Sequence, residues 1–157
     1  MANPLPFTVE NLDMDSPRAD YEAISEVLPH RGPMRQLDSV VWWSEDRRQA
    51  IGIRDVKSDE FWVDGHIPGK PLFPGVLIIE TAAQLCSFIA MQVRNNNEFL
   101  GFTRCNDCSF RGAVVPGDRM VLYAELISEN RRRFVSTAKG FVNDKFVFEA
   151  TITGMVI

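Results

Sequence analysis

Residues Val76 to Val93 run apolar on nearly every side, and that stretch constrains the fold more than any other. A helix with no wide polar face is a buried helix, so something must wrap it. Its informative polar exceptions, Glu80, Gln84 and Ser87, recur at i, i+4 and i+7 and share one narrow stripe. An ionisable group on so apolar a helix is more often paired or functional than idle, which makes Glu80 the first candidate site residue. The plainer alternative is that Glu80 points to water along its stripe. Arg94 and the run Asn95-Asn96-Asn97 supply a stop, with a cation near the negative end of the helix dipole.

The helix is entered through Gly65-His66-Ile67-Pro68-Gly69-Lys70-Pro71-Leu72-Phe73-Pro74-Gly75. Prolines 68, 71 and 74 fix φ, while the glycines allow backbone geometry that other residues resist. Such a loop holds one side chain in one place, and the candidate is His66. Pro74 suits the first helical turn, where a missing N–H costs nothing. The amides of Gly75 and Val76 then sit at the positive end of the dipole, free to donate to a ligand oxygen. Taken alone, His66 is as readily a structural loop histidine as a functional one. With the proline-glycine cage, the helix start and Glu80 together, function is the stronger reading.

At 157 residues, the chain has one domain's length and enough material for a substantial core. The stretch 1–27 carries six carboxylates against Arg18 alone, so the formal charge of −4 belongs to the tail and not to the body. Residues 1–21 read as an acidic extension of partly disordered character, and 22–157 as the domain. Three cysteines form no disulfide framework and suit a reducing cytoplasm. No basic-plus-apolar leader is visible, and Glu80 and Gln84 argue against membrane insertion of the long helix. An acidic chain without a basic, aromatic-interleaved stripe gives no reason to expect nucleic acid.

A short helix over Tyr21–Leu28 precedes strands at Leu37–Trp43 and Ala50–Val56. After the long helix come strands near 99–111, 119–129, 132–142 and 145–156, with a hairpin turn at Val142–Lys145. Trp42 and Trp43 must face opposite sides of their strand, one toward the core and one toward another surface. Cys105 and Cys108 form a C-x-x-C, but two ligands do not make a zinc site, and i, i+3 positions on a regular strand point apart. No metal site is expected. Arg131-Arg132-Arg133 reads as a solvated turn, with docking of an acidic partner as the sharper alternative.

His66-x-Pro-Gly-x-Pro-x-x-Pro-Gly-Val-Leu followed by Glu80-x-x-Ala83-Gln84 resembles the signature of the 3-hydroxyacyl-[acyl-carrier-protein] dehydratases of fatty acid synthesis. It is closer to the all-chain-length (FabZ-like) branch than to the dehydratase-isomerases, which carry Asp where this chain has Glu80. Leu28-Pro29-His30-Arg31-x-Pro33 and Val115-Pro116-Gly117-Asp118 are similar to the family in order and spacing. Gly32 departs from it, standing where an aromatic residue is common, which bears on the shape of the substrate tunnel. The resemblance implies an α+β hotdog fold, an antiparallel sheet wrapped around the long apolar helix.

It also implies a reaction: loss of water from a 3-hydroxyacyl thioester carried on acyl carrier protein. His66 suits the base that takes the α-proton. Glu80 suits the acid that protonates the leaving hydroxyl, if its apolar surroundings raise its pKa. The Gly75 and Val76 amides suit the thioester oxygen, and Phe73, Ile67 and Gln84 are expected to contact substrate. His30, the only other histidine, reads as structural or site-lining. The chemistry calls for no cofactor. The expected assembly is a homodimer with shared sites, a trimer of such dimers remaining open. A hotdog thioesterase or a non-catalytic carrier-binding subunit are the alternatives.

Overall fold

A computed structural model describes residue 9 and residues 11–157. Helix α1 spans Tyr21–Val27 and helix α2 Gly75–Arg94, and six strands make one sheet: β1 Ser39–Trp43, β2 Gln49–Asp55, β3 Leu100–Phe110, β4 Arg119–Glu129, β5 Arg133–Val142 and β6 Lys145–Val156. Every pairing is antiparallel, in the order β1-β2-β4-β5-β6-β3. The concave face wraps α2, which packs on β2, β4, β5 and β6. Leu85, Ile89, Leu122, Phe134, Phe148 and Ile152 are fully buried between them. This is the hotdog arrangement, and the elements fall within a few residues of the expected bounds. By length and composition α2 could cross a bilayer, yet 56% of its most apolar window is buried inside this domain.

Local chemistry sets the ends of the elements. Asp20 caps α1, its carboxylate accepting from the Ala23 amide at 2.9 Å, and the helix stops short of Pro29. Asn95, at φ 47°, closes α2 in the left-handed conformation. Arg94 then donates to the carbonyls of Asn130 and Arg131, each at 2.7 Å, tying the helix end to the β4–β5 turn. Asn143 and Asp144 adopt φ 48° and 62°, the two left-handed residues of a tight hairpin between β5 and β6. Gly52 lets α2 approach the sheet: a Cβ there would lie 2.7 Å from Leu37 Cδ1 and 3.2 Å from Leu85 Cδ1.

The two tryptophans divide as their adjacency requires. Trp43 faces the core, its ring centroid 6.1 Å from that of Phe88. Trp42 joins a second apolar cluster on the outer face, built on Val41, Ile51, Ile53 and Tyr123. Val9, Leu12 and Met14 pack on that cluster, so the chain's own extension covers it. Ala19 pairs with Val40 through hydrogen bonds of 3.0 and 2.9 Å, Arg18 lies 4.0 Å over the Trp43 ring, and Asp15 meets Arg119 at 2.6 Å. Within the extension read as partly disordered over residues 1–21, residue 9 and residues from 11 onward thus make contacts with the domain, and the part of that expectation that falls on residues 1–8 and 10 lies outside the described residues.

The cysteine pair corrects an expectation. β3 bulges between Asn106 and Ser109, with Asp107 at φ 49°. The extra residue breaks the alternation of a regular strand and leaves the Cys105 and Cys108 thiols as neighbours instead of on opposite faces. Burial and the neighbouring Cys105 push the Cys108 thiol up to about 11. Among the described residues no cluster of three or more His, Cys, Asp or Glu side chains is arranged to hold a metal ion.

Candidate active site

The loop carrying His66 rests on a buried platform. Trp62 and Phe73, 4% and 2% exposed, pack at a tilt with 5.4 Å between ring centroids. The Arg54 guanidinium lies 5.0 Å from the Phe73 ring, pairs with Glu60 and sits 3.6 Å from Asp38. Glu60 in turn accepts from Trp62 Nε1 at 2.9 Å and from the Lys57 amide at 2.7 Å. The His66 amide donates to the Trp62 carbonyl at 2.8 Å, and Ile67 and Gly69 take left-handed φ values of 58° and 79°. The loop is therefore held from beneath, with the His66 side chain exposed at its crest. Sequence reasoning did not single out Trp62, Glu60 or Arg54. The usable signal was Trp62, one helical turn's spacing before His66.

At the start of α2, Pro74 is the N-cap and offers no side-chain capping bond. The Leu77 and Ile78 amides donate to the Pro74 carbonyl at 2.9 and 3.1 Å. The amides of Gly75 and Val76 make no hydrogen bond among the described residues and lie in the first turn, at the positive end of the dipole. The absent side chain of Gly75 matters sterically: a Cβ would lie 2.8 Å from Phe110 Cζ. Phe110 itself leans on Phe148 at 5.6 Å between centroids.

Glu80 is gripped from two sides. Its Oε1 lies 3.3 Å from His30 Nε2 and accepts a 2.8 Å bond from Gln84 Nε2. Gln84 is buried and fully engaged. Its Oε1 accepts the Gln36 and Leu37 amides at 2.9 and 3.0 Å, and its Nε2 also donates to the Met34 carbonyl at 2.7 Å. The polar stripe on α2 is thus a clamp: the segment after Pro33 holds Gln84, and Gln84 holds Glu80. These bonds overturn the expectation that an apolar helix would raise the Glu80 pKa. The His30 donor, assisted by Gln84, outweighs the cost of burial and holds the carboxyl below its ordinary value.

A cavity of about 400 Å³ opens beside Glu80, walled by Pro29, His30, Ala83, Leu100 and Phe102. It adjoins a second, of about 320 Å³, that continues along α2 to Met91. Pro29, His30, Ser87, Phe99 and Leu100 line both. Of the other residues expected at the site, Phe73 is buried under the loop and Ile67 is half-exposed upon it. His66 and Glu80 are not joined within the protomer; the Glu80 carboxylate is occupied by His30 and Gln84.

A family model described as a FabA-like domain matches residues 28–151. The chain belongs to that family. Among curated relatives, 3-hydroxyacyl-[acyl-carrier-protein] dehydratase FabZ of Alkaliphilus metalliredigens is 35% identical over 135 residues, covering 85% of this chain and 91% of the relative. The enzyme of the same name from Yersinia enterocolitica is 35% identical over 143 residues, covering 88% and 83%. Among solved structures, the dehydratase heterocomplex ApeI:P from Xenorhabdus doucetiae superposes with a TM-score of 0.72 at 14% identity, covering 85% of this chain and 90% of that one. A hypothetical thioesterase with coenzyme A from Streptococcus pneumoniae superposes at 0.60 with 12% identity, covering 76% and 84%. At such identities the two structures speak to the fold alone.

Proposed function

We propose that this protein is a 3-hydroxyacyl-[acyl-carrier-protein] dehydratase of acyl-chain biosynthesis. The observation that carries this reading is the family match across residues 28–151, which contains both the His66 loop and Glu80. His66 takes the α-proton of the 3-hydroxyacyl thioester, and electron density moves onto the thioester oxygen. The unpartnered Gly75 and Val76 amides stabilise that oxygen. Glu80 then gives its proton to the 3-hydroxyl, the C–O bond breaks, and water and the trans-2-enoyl thioester leave. The cycle closes when the proton gained by His66 returns to Glu80. From Glu80 to Met91 α2 rises ~16 Å, which gives the acyl chain an apolar path along the two adjoining cavities.

The site is completed by a second copy of the chain, in the cytoplasm. Glu80 and its cavity border β3, which among the described residues pairs only with β6 and leaves its outer edge unpaired. Phe99, Phe102, Phe110 and Ile157 are exposed on or beside that strand. A long edge that carries exposed aromatics among polar residues and finds no strand among those described is what a two-fold partner covers. The partner's loop then brings its His66 to this chain's Glu80. An acidic acyl carrier protein would find the exposed Arg131–Arg133 turn a docking surface of opposite charge.

The test is direct: purified protein is mixed with a trans-2-enoyl thioester and the enoyl absorbance is followed. Its decay with no free thiol is the expected result, since hydration is the reverse of the proposed reaction. Release of free thiol would make the protein a thioesterase. An unchanged spectrum on both acyl carrier protein and coenzyme A thioesters would leave a binding role.

A further inference from the structure

We infer that His30 is a positioning residue for the proposed reaction, its Nε2 set against Glu80 so that the carboxyl group stays aimed into its cavity. This rests on the dehydratase reading for its consequence in catalysis, though not for its geometry. His30 Nε2 faces Glu80 Oε1 at 3.3 Å, while His30 Nδ1 is buried without a hydrogen-bond partner. A proton on Nδ1 would be stranded there, whereas a proton on Nε2 is received by a carboxylate. The pocket therefore selects the Nε2–H tautomer. The ring is fixed from behind, because Arg31 donates to the carbonyls of Leu28, His30 and Ser25 at 2.6, 2.8 and 2.7 Å and rigidifies the turn. His30 and Gln84 thus converge on one oxygen of Glu80 and leave Oε2 without a bonding partner among the described residues.

Among the described residues no other charge competes for that carboxylate. Among the described residues walling the cavity, His30 and Glu80 are the only titratable ones. Glu26, Arg31 and Glu98 line the adjoining cavity, and Arg35 is held away by Leu37, Ser25 and Tyr21. In the proposed dimer the partner's loop histidine also faces Glu80. The active pair must hold one proton between the two. On acidification the pair gains a second proton and stops working, so the acid limb of the rate profile reports the pair's lower macroscopic pKa, which shifts with that of Glu80. A donor that depresses this pKa widens the working range toward acid.

The test reads Glu80 without relying on turnover. Side-chain carboxyl carbons of the glutamates are labelled, and the Glu80 resonance, assigned by its loss in Glu80→Gln, is titrated by NMR in three variants. His30→Ala and His30→Phe remove the donor, the second while keeping a ring in the space. His30→Gln returns an N–H. The expected result is a Glu80 midpoint raised by about one pH unit in Ala and Phe, with Gln close to wild type. The acid limb of turnover should move with it. Should Ala fail to fold, Phe against Gln still decides. A midpoint unmoved in every folded variant, or raised as much by Gln as by Phe, would overturn the inference even if the protein proves to be a dehydratase.

Discussion

Glu80 shows what a side chain's own helix leaves unsaid. Its helix is apolar, and desolvation alone would make it a weak acid. His30, supplied from the other end of the N-terminal half, reverses the sign. A linear reading could place Glu80 on its stripe but could not know which loop would arrive beside it. Gln84 was legible as polar and was expected to touch substrate. Its bonds to the Met34–Leu37 backbone appear only once the chain is folded. Gln84→Leu would strand two amides and a carbonyl in the interior, and should cost about 3 kcal/mol or more in denaturant unfolding. Ser87→Ala on the same stripe should stay within about 0.5 kcal/mol. His66→Ala and Glu80→Gln should each remain folded and lose ~10²-fold or more in turnover, the scale of a positioned acid or base. The depressed Glu80 pKa also contributes stability that is present above its unfolded-state pKa and fades as pH falls through the folded value. The wild type should therefore lose more stability than Glu80→Gln on acidification below about pH 4.5, followed by thermal unfolding across that range.

At the scale of elements, periodicity and punctuation were informative. The buried helix, the hairpin at Asn143-Asp144 and the four later strands could be read from apolar spacing and turn residues, because each is decided by neighbours in sequence. The β3 bulge was legible only as a bend near the cysteines: Asn106-Asp107 tolerates a left-handed conformation, but which residue adopts it, and that pairing resumes beyond it, are decided by β6. The extension was likewise opaque: Leu12 and Met14 are scattered among carboxylates, and their partner, the outer face of β1, β2 and β4, exists only after folding. Deleting residues 1–20 removes Ala19, Leu12 and Met14 from packed positions and breaks the pairing with Val40. That truncation should lower the melting temperature by several degrees, consistent with a loss of about 2 kcal/mol from buried apolar side chains. Arg119→Ala, which cuts only the exposed ion pairs to Asp15 and Asp55, should cost about 1 kcal/mol or less in the same assay. Gly75→Val should displace the Phe110 ring and obstruct the free amides, lowering turnover by ~10²-fold with little change in melting.

At the scale of the whole molecule, the two halves of the proposed chemistry do not meet in one chain. His66 stands exposed on a stiff, platform-supported loop, while Glu80 is occupied by residues of its own protomer and opens into a cavity at a sheet edge that no strand among the described residues pairs with. A shared site reconciles these facts, and mixing two inactive proteins examines it most directly. His66→Ala and Glu80→Gln are purified separately, dissociated together, allowed to reassociate, and assayed for hydration of a trans-2-enoyl thioester. In a hybrid dimer one site carries both defects and the other carries neither. Random pairing makes half the dimers hybrids, so about a quarter of wild-type activity should return. If both residues acted from a single chain, every site would keep a defect, and the mixture would stay as inactive as its parts.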